Sequence, residues 1–142
     1  MDKIRKHFEQ YDRFAKFCGI ELLEIGTGRS KVRMKICEHH LNGVGTVHGG
    51  AIFTLADFAF AIAGNSHGKI AVAVNVSISF MKAVSTGYLT AQAWEVTRNS
   101  KLGTYTAEVK DDAGDVVAIF QGLAYRKKED FESLMSKGQP VQ

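Results

Sequence analysis

Between Gly49 and Ala63 the chain reads GGAIFTLADFAFAIA, a stretch without a breaker after its first glycines and with one charged side chain, Asp57. Closed by Gly64-Asn65, this run predicts a helix that is apolar nearly all round. Such a helix must be covered on more sides than a flat sheet provides. At fifteen residues it falls short of the roughly 20 needed to span a bilayer, and it contains a carboxylate. It is therefore read as a core helix, and no membrane association is expected.

The rest of the chain supplies the cover. Ile4, Phe8, Tyr11, Ala15 and Cys18 recur at steps of three and four among charged residues, which predicts an amphipathic N-terminal helix over 2–18, stopped at Gly19. From Ile20 to Ile36 short apolar runs break at Gly26-Thr27-Gly28, and Val32, Met34 and Ile36 alternate with Arg33 and Lys35, as in a strand pair joined by a glycine turn. His39 to Val47 reads as a loop. Beyond the central helix, Val72, Val74, Val76, Ile78 and Phe80 alternate with Ala71, Ala73, Asn75, Ser77 and Ser79, a strand with one apolar face and one small, polar face. Segments 88–97, 103–110 and 116–126 follow, joined by hairpin connections at Arg98-Asn99-Ser100-Lys101 and Asp111-Asp112-Ala113-Gly114. The expected class is α+β: an antiparallel sheet of about six strands wrapped round one central helix, led by an amphipathic helix. A single domain over 1–142 is expected, with its core at about 19–126. The polar tail, 127–142, carries Phe131, Leu134 and Met135 as a weak terminal helix or a frayed end.

Composition narrows the partners. Hydrophobic residues make up 45% and charged residues 23%, and the formal net charge of +3 comes from Lys and Arg dispersed along the chain. Nothing in this points to nucleic acid. Cys18 and Cys37 lack metal-ligand spacing, His39-His40 has no third ligand after it, and Met1 to Lys6 is charged where a secretory signal needs an apolar region. Free thiols in a reducing, cytoplasmic setting are expected, with no metal.

Asp57 is the only Asp, Glu, Lys or Arg between Leu41 and Gly68. Buried and unpaired it would cost several kcal/mol, so it either lies on a narrow polar stripe, is hydrogen-bonded in the core, or faces a cleft or interface. His48-Gly49-Gly50 precedes the helix, which puts the Gly49 and Gly50 amides at the positive end of the helix dipole, where an oxyanion is stabilised. The competing reading is a glycine turn that needs positive φ. Eight positions separate Gly49 from Asp57, about 12 Å along a helix, too far for one carbonyl to touch both. If both act on one substrate, Asp57 comes from a second copy across a two-fold axis.

The run Asn42-Gly43-Val44-Gly45-Thr46-Val47-His48-Gly49-Gly50, followed by Leu55-Ala56-Asp57 and Asn65-Ser66, resembles the signature of hotdog-fold acyl-CoA thioesterases of the PaaI (phenylacetic acid degradation) type. The resemblance is specific over 42–66 and looser from Gly19 to Arg126. It implies a hotdog fold and hydrolysis of an acyl-CoA, aryl or phenylacetyl-CoA among the candidates. Asp57 would then be general base or nucleophile across a dimer interface, and the Gly49 N–H would polarise the thioester oxygen beside Gly50. Asn42 would help to place water or thioester, and His48 would orient the site. It also implies a homodimer for the active site, a homotetramer of two such dimers, and neither metal nor cofactor. Two departures stand out: Ala73 falls where some relatives carry Ser or Thr, leaving Asn75 and Ser77 as nearby polar groups, and Phe80-Met81-Lys82-Ala83 lacks a proline common in relatives. Lys82, Arg98 and Lys101 are candidates for the phosphates of coenzyme A. The alternatives are a hotdog hydratase or dehydratase with His48 as base, and a non-catalytic acyl-CoA binding protein.

Overall fold

Local signals set the element boundaries seen in the computed structural model, which describes residues 1–136. Helix α1 spans Asp2–Tyr11 and α2 spans Arg13–Phe17. The single leading helix expected over 2–18 is broken at Asp12, which leaves helical geometry (ψ 83°) and accepts the Ala15 N–H on its side chain at 3.1 Å. Aspartate competes for backbone donors in this way wherever a second helical start is within reach. Gly19, at φ 77°, then ends α2 in the left-handed conformation.

Strands β1 (Ile20–Gly26) and β2 (Arg29–Lys35) form the expected hairpin, and α3 runs Gly49–Asn65. Strands β3 (Lys69–Phe80), β4 (Tyr88–Arg98), β5 (Leu102–Lys110) and β6 (Val116–Asp130) follow, then α4 (Phe131–Ser136). The strands make one six-stranded sheet of order β1-β2-β4-β5-β6-β3, with every pairing antiparallel. Helix α3 lies across it and contacts all six strands. Around α3 the core gathers Leu55, Ala59, Ile62, Met34, Val109 and Phe120, all but fully buried. This is the hotdog arrangement of a sheet curled round one helix.

Beyond Arg126 regular structure continues through the described residues, to Ser136. Strand β6 runs on to Asp130, and Phe131 is buried, its ring 4.9 Å from that of His7 and 5.6 Å from that of Phe8. Leu134 and Met135 belong to α4, and the end of the expected tail, 137–142, lies outside the described residues.

Strand β3 departs most from its reading as a strand with one uniform apolar face. Ala73 pairs with Ala124 and Asn75 with Leu123, so Val74 is one residue more than β6 can match. This bulge swaps the faces. Ala71 packs on the core before it and Val76 and Ile78 after it, while Val72 and Val74 are exposed. Strand β3 is also an edge of the sheet, bonded to β6 on one side only, over its whole twelve-residue length.

Side-chain bonds hold the C-terminal half of α3. Ser30 Oγ donates to the Ala59 carbonyl at 2.6 Å, and Ser66 Oγ accepts the Gly28 N–H at 2.7 Å while donating to the Ala63 carbonyl. Asn65 donates to the carbonyls of Ala61 and Ala71 and accepts the Ala71 N–H. Next to this end, Glu95 Oε1 meets His67 Nε2 at 2.7 Å and accepts the Tyr105 hydroxyl at 2.9 Å. The Asn65-Ser66 pair of the sequence signature thus joins the end of α3 to β3 and to the β1–β2 turn.

Candidate active site

The segment that leads into α3 is built before the helix begins. Asn42 Oδ1 accepts the N–H groups of Val44 and Thr46 at 3.0 and 3.2 Å, and its Nδ2 donates to Thr46 Oγ1 at 3.0 Å. Gly45 takes φ 81°, the one left-handed residue of this loop. His40 lies beneath. It accepts the Cys37 N–H on Nδ1 at 2.9 Å and sits 2.8 Å from the Cys18 carbonyl through Nε2, which fixes the neutral tautomer with the proton on Nε2. Both histidines fall in the segment read as a loop, but only His39 is exposed, because His40 is the peg on which the loop is hung.

His48 is the N-cap of α3, and its Nδ1 accepts the Gly50 N–H at 2.8 Å. That bond distinguishes the two glycines. The Gly50 amide is occupied, whereas the Gly49 N–H has no acceptor among the described residues and points out of the helix start. Neither glycine has positive φ, so the turn explanation for the pair does not hold. A side chain at 49 would crowd Phe80 without being barred, since a Cβ there would stand 3.2 Å from Cζ of that half-exposed ring, which would have to give by a few tenths of an ångström. The same bond bears on the hydratase alternative, because a neutral imidazole that accepts on Nδ1 carries its proton on Nε2 and offers no free basic nitrogen.

Asp57 lies with Gly50, Thr54 and Ala61 on the stripe of α3 that the sheet leaves uncovered. Its carboxylate is half-buried and has no hydrogen-bond or ion-pair partner among the described residues. Burial, and after it the negative charge of Asp12 at the α1–α2 break, hold its pKa above the usual aspartate value. A cavity of about 560 Å³ lies between the N-terminal helices, β1 and α3, lined by Phe8, Asp12, Gly19, Leu22 and Phe58 among others. Neither Gly49 nor Asp57 lines it.

The remaining candidates separate. Asn75 and Ser77 lie on the sheet face turned away from α3, over a depression of about 330 Å³ shared with Thr104, Thr106 and Gln121. Lys82, just past Phe80 at the Gly49 end, is held by Asp111 Oδ2 at 2.6 Å and Asp115 Oδ2 at 2.7 Å, and these bonds push its pKa up to about 12. Arg98 Nε lies 3.5 Å from Glu95 Oε2, which puts it at the His67 end of α3, about 25 Å of helix away from Gly49. Lys101 follows on the same turn, with its backbone N–H held by Asn99 Oδ1. Sequence reading gave no sign of two relations within the site, the approach of Phe80 to Gly49 and the charge of Asp12 near Asp57. Phe80 closes an apolar alternation and Asp12 sits in a helical charge pattern, so neither carried a local signal. Among the described residues no cluster of His, Cys, Asp and Glu has metal-binding geometry, and no helix is long and apolar enough to cross a membrane.

Comparison with known proteins agrees with this architecture. The thioesterase superfamily model matches residues 44–118, from the loop before α3 into β6. The Archaeoglobus fulgidus protein named "Putative esterase" is 42% identical over 132 residues, 92% of this chain and 86% of that protein. The acyl-coenzyme A thioesterase PaaI of Escherichia coli is 37% identical over 116 residues, 81% of this chain and 83% of its own. The solved structure of the E. coli PaaI protein superposes with a TM-score of 0.86 at 32% identity, covering 91% of this chain and 96% of that one. With more than half its length in the family match and relatives of this identity over most of the chain, the protein belongs to the thioesterase superfamily and is a hotdog-fold thioester hydrolase of the PaaI type.

Proposed function

We propose that this chain hydrolyses an acyl-CoA thioester to a free acid and coenzyme A at a site completed by two protomers, with Gly49 from one and Asp57 from the other. The observation that carries the proposal is the pairing of an unused amide at the start of α3 with an unpartnered carboxylate on the uncovered stripe of the same helix. About 12 Å of helix keeps the two apart in one chain. A second α3 running antiparallel across a two-fold axis removes that separation. The free edge of β3 supports such a pairing, since an unpaired strand of twelve residues invites continuation by another strand.

In this site the Asp57 carboxylate takes a proton from water as the water oxygen attacks the thioester carbon. Charge builds on the carbonyl oxygen, which the Gly49 N–H and the positive end of α3 stabilise. Collapse breaks the C–S bond, and the coenzyme A thiolate leaves and is protonated. A carboxylate whose pKa is raised by burial is a stronger base for this step than an ordinary aspartate. His48 holds the Gly50 amide and so fixes the helix start, and Asn42 shapes the loop beside it. Arg98 and Lys101, remote from Gly49 of their own chain, are assigned to coenzyme A phosphates bound in the site of a neighbouring copy. Lys82, with two carboxylate partners, and Asn75, on the outer face, take no direct part. The outer face of the sheet, where Val72, Val74 and Val96 are exposed beside Asn75, Ser77, Thr104 and Gln121, is assigned to the contact between two such dimers in a tetramer. Free thiols at Cys18 and Cys37 suit a cytoplasmic setting.

The test is subunit complementation, read as thiol release from a panel running from acetyl-CoA through long-chain acyl-CoA to phenylacetyl-CoA. Asp57→Asn removes the base, and Gly49→Pro removes the N–H at the one helical position where proline is well tolerated. Each homodimer should be inactive. A refolded equimolar mixture should regain about a quarter of wild-type activity, because half of the dimers are mixed and each mixed dimer keeps one intact site. A mixture that stays inactive overturns the two-protomer site, and a wild type that releases no thiol overturns the hydrolase assignment.

A further inference from the structure

We infer that Phe80 is the specificity-determining residue of this site, its ring being the wall that limits substitution at the α-carbon of the acyl group. The inference rests on the thioesterase reading above. Phe80 closes β3 on the same sheet face as Ile78, and it pairs with the fully buried Ala118, yet 51% of it is exposed. Its ring reaches the start of α3: a Cβ on Gly49 would lie 3.2 Å from Cζ, 3.5 Å from Cε1 and 3.8 Å from Cε2. The tip of the ring therefore borders the same residue whose N–H is unused.

Hydrogen-bond geometry sets where the acyl group lies. A carbonyl oxygen about 2.9 Å from the Gly49 nitrogen brings both substituents of the carbonyl carbon into the space round Gly49. One is the sulfur with its amide-bearing arm, the other is the α-carbon of the acyl group. A half-exposed phenyl ring favours the apolar one. Phe53, one turn further along α3, extends that wall, with its ring packed 5.6 Å from that of Phe120. Of the other aromatic side chains of the helix, Phe60 is buried in the core and Phe58 faces the cavity under the N-terminal helices, which Gly49 does not line. An unbranched α-carbon lies flat against the ring, whereas a methyl branch there meets Cζ.

The experiment compares matched pairs, butyryl-CoA with isobutyryl-CoA and phenylacetyl-CoA with 2-phenylpropionyl-CoA, in wild type, Phe80→Leu and Phe80→Ala. The readouts are kcat/KM for each substrate, inhibition by free coenzyme A, and oligomeric state by sedimentation. Wild type should prefer the unbranched member by at least roughly tenfold, the usual worth of one methyl group against a pocket wall. Phe80→Ala should shrink that preference by about the same factor, with Phe80→Leu between the two and inhibition by free coenzyme A unchanged. Equal preferences in all three proteins overturn the inference, as does a uniform loss on every substrate accompanied by dissociation, which would make Phe80 a subunit contact only. If Phe80→Ala does not fold, Phe80→Leu decides by the same ratio. A wild type inactive on every thioester overturns the hydrolase reading together with this one, whereas an active wild type with unmoved ratios overturns this one alone.

Discussion

Replacing Tyr105 with Phe removes one oxygen from the cluster beside the C-terminal end of α3. The ring is 1% exposed and stays packed 5.5 Å from that of Phe60, so its apolar contacts survive. What is lost is a 2.9 Å hydrogen bond to the carboxylate of Glu95. Bonds to charged groups contribute about 1.5–3 kcal/mol. Glu95 keeps His67 at 2.7 Å and Arg98 at 3.5 Å, which puts the expected cost at the lower end, about 1.5–2 kcal/mol. For a chain of this size that corresponds to a fall in Tm of about 4–8 °C. The sign with pH comes from Glu95. Burial alone would raise its pKa, but the hydrogen bonds from His67 and Tyr105, with the charges of His67 and Arg98, outweigh burial and hold it below the ordinary glutamate value. Stabilisation from a depressed carboxylate is complete above its unfolded pKa, about 4.3, and is lost as pH falls through the folded value. The gap in Tm between wild type and variant should therefore narrow in acid. Thermal melts at fixed protein concentration measure it. A fall below about 1 °C at neutral pH, or a gap that widens in acid, would refute the argument.

Asp57→Asn should lower kcat by at least about a hundredfold, the usual size of a general-base effect, as measured by thiol release. The acid limb of the wild-type kcat/KM profile should have its midpoint above the ordinary aspartate pKa of about 3.9, and Asp12→Asn, which removes a like charge, should move that midpoint down. His48→Ala deletes the cap on the Gly50 N–H and should cost about 1 kcal/mol, or about 2–4 °C in Tm. Asn42→Ala releases the Val44 and Thr46 amides, so protease sensitivity between Leu41 and His48 should rise while the melting of the sheet core changes little.

Helix α3 was legible because its signals are local: a long apolar run, one carboxylate, glycines at the start and Gly64-Asn65 at the end. The strands and their hairpin connections were legible for the same reason, and α3 ran only two residues further than expected, through Asn65. The break at Asp12 was not, because the stripe through Ile4, Phe8, Ala15 and Cys18 reads as one helix unless the capping bond to Ala15 is known. Lys82, Arg98 and Lys101 looked alike as cations near turns. Only the fold brings Asp111 and Asp115 onto Lys82 and leaves Arg98 beside Glu95 at the other end of α3. The contacts of His40 and Phe80 were illegible for a related reason, since their partners, Cys18 and Gly49, are distant in the chain.

The bulge at Val74 makes the length of β3 matter more than its composition. Val72 and Val74 are exposed, and changes of side chain there leave the core untouched in a single chain. Loss of one residue is another matter. Without the unmatched residue, alternation would run unbroken from Ala71 to Phe80, and either Ala71 would turn away from α3 or Val76, Ile78 and Phe80 would. In the second case the ring beside Gly49 leaves the helix start. Homologous strands are therefore expected to keep the same number of residues between Asn65, which ties the end of α3, and Phe80, which walls its beginning, whatever side chains stand at 72 and 74 to suit the contacts between copies.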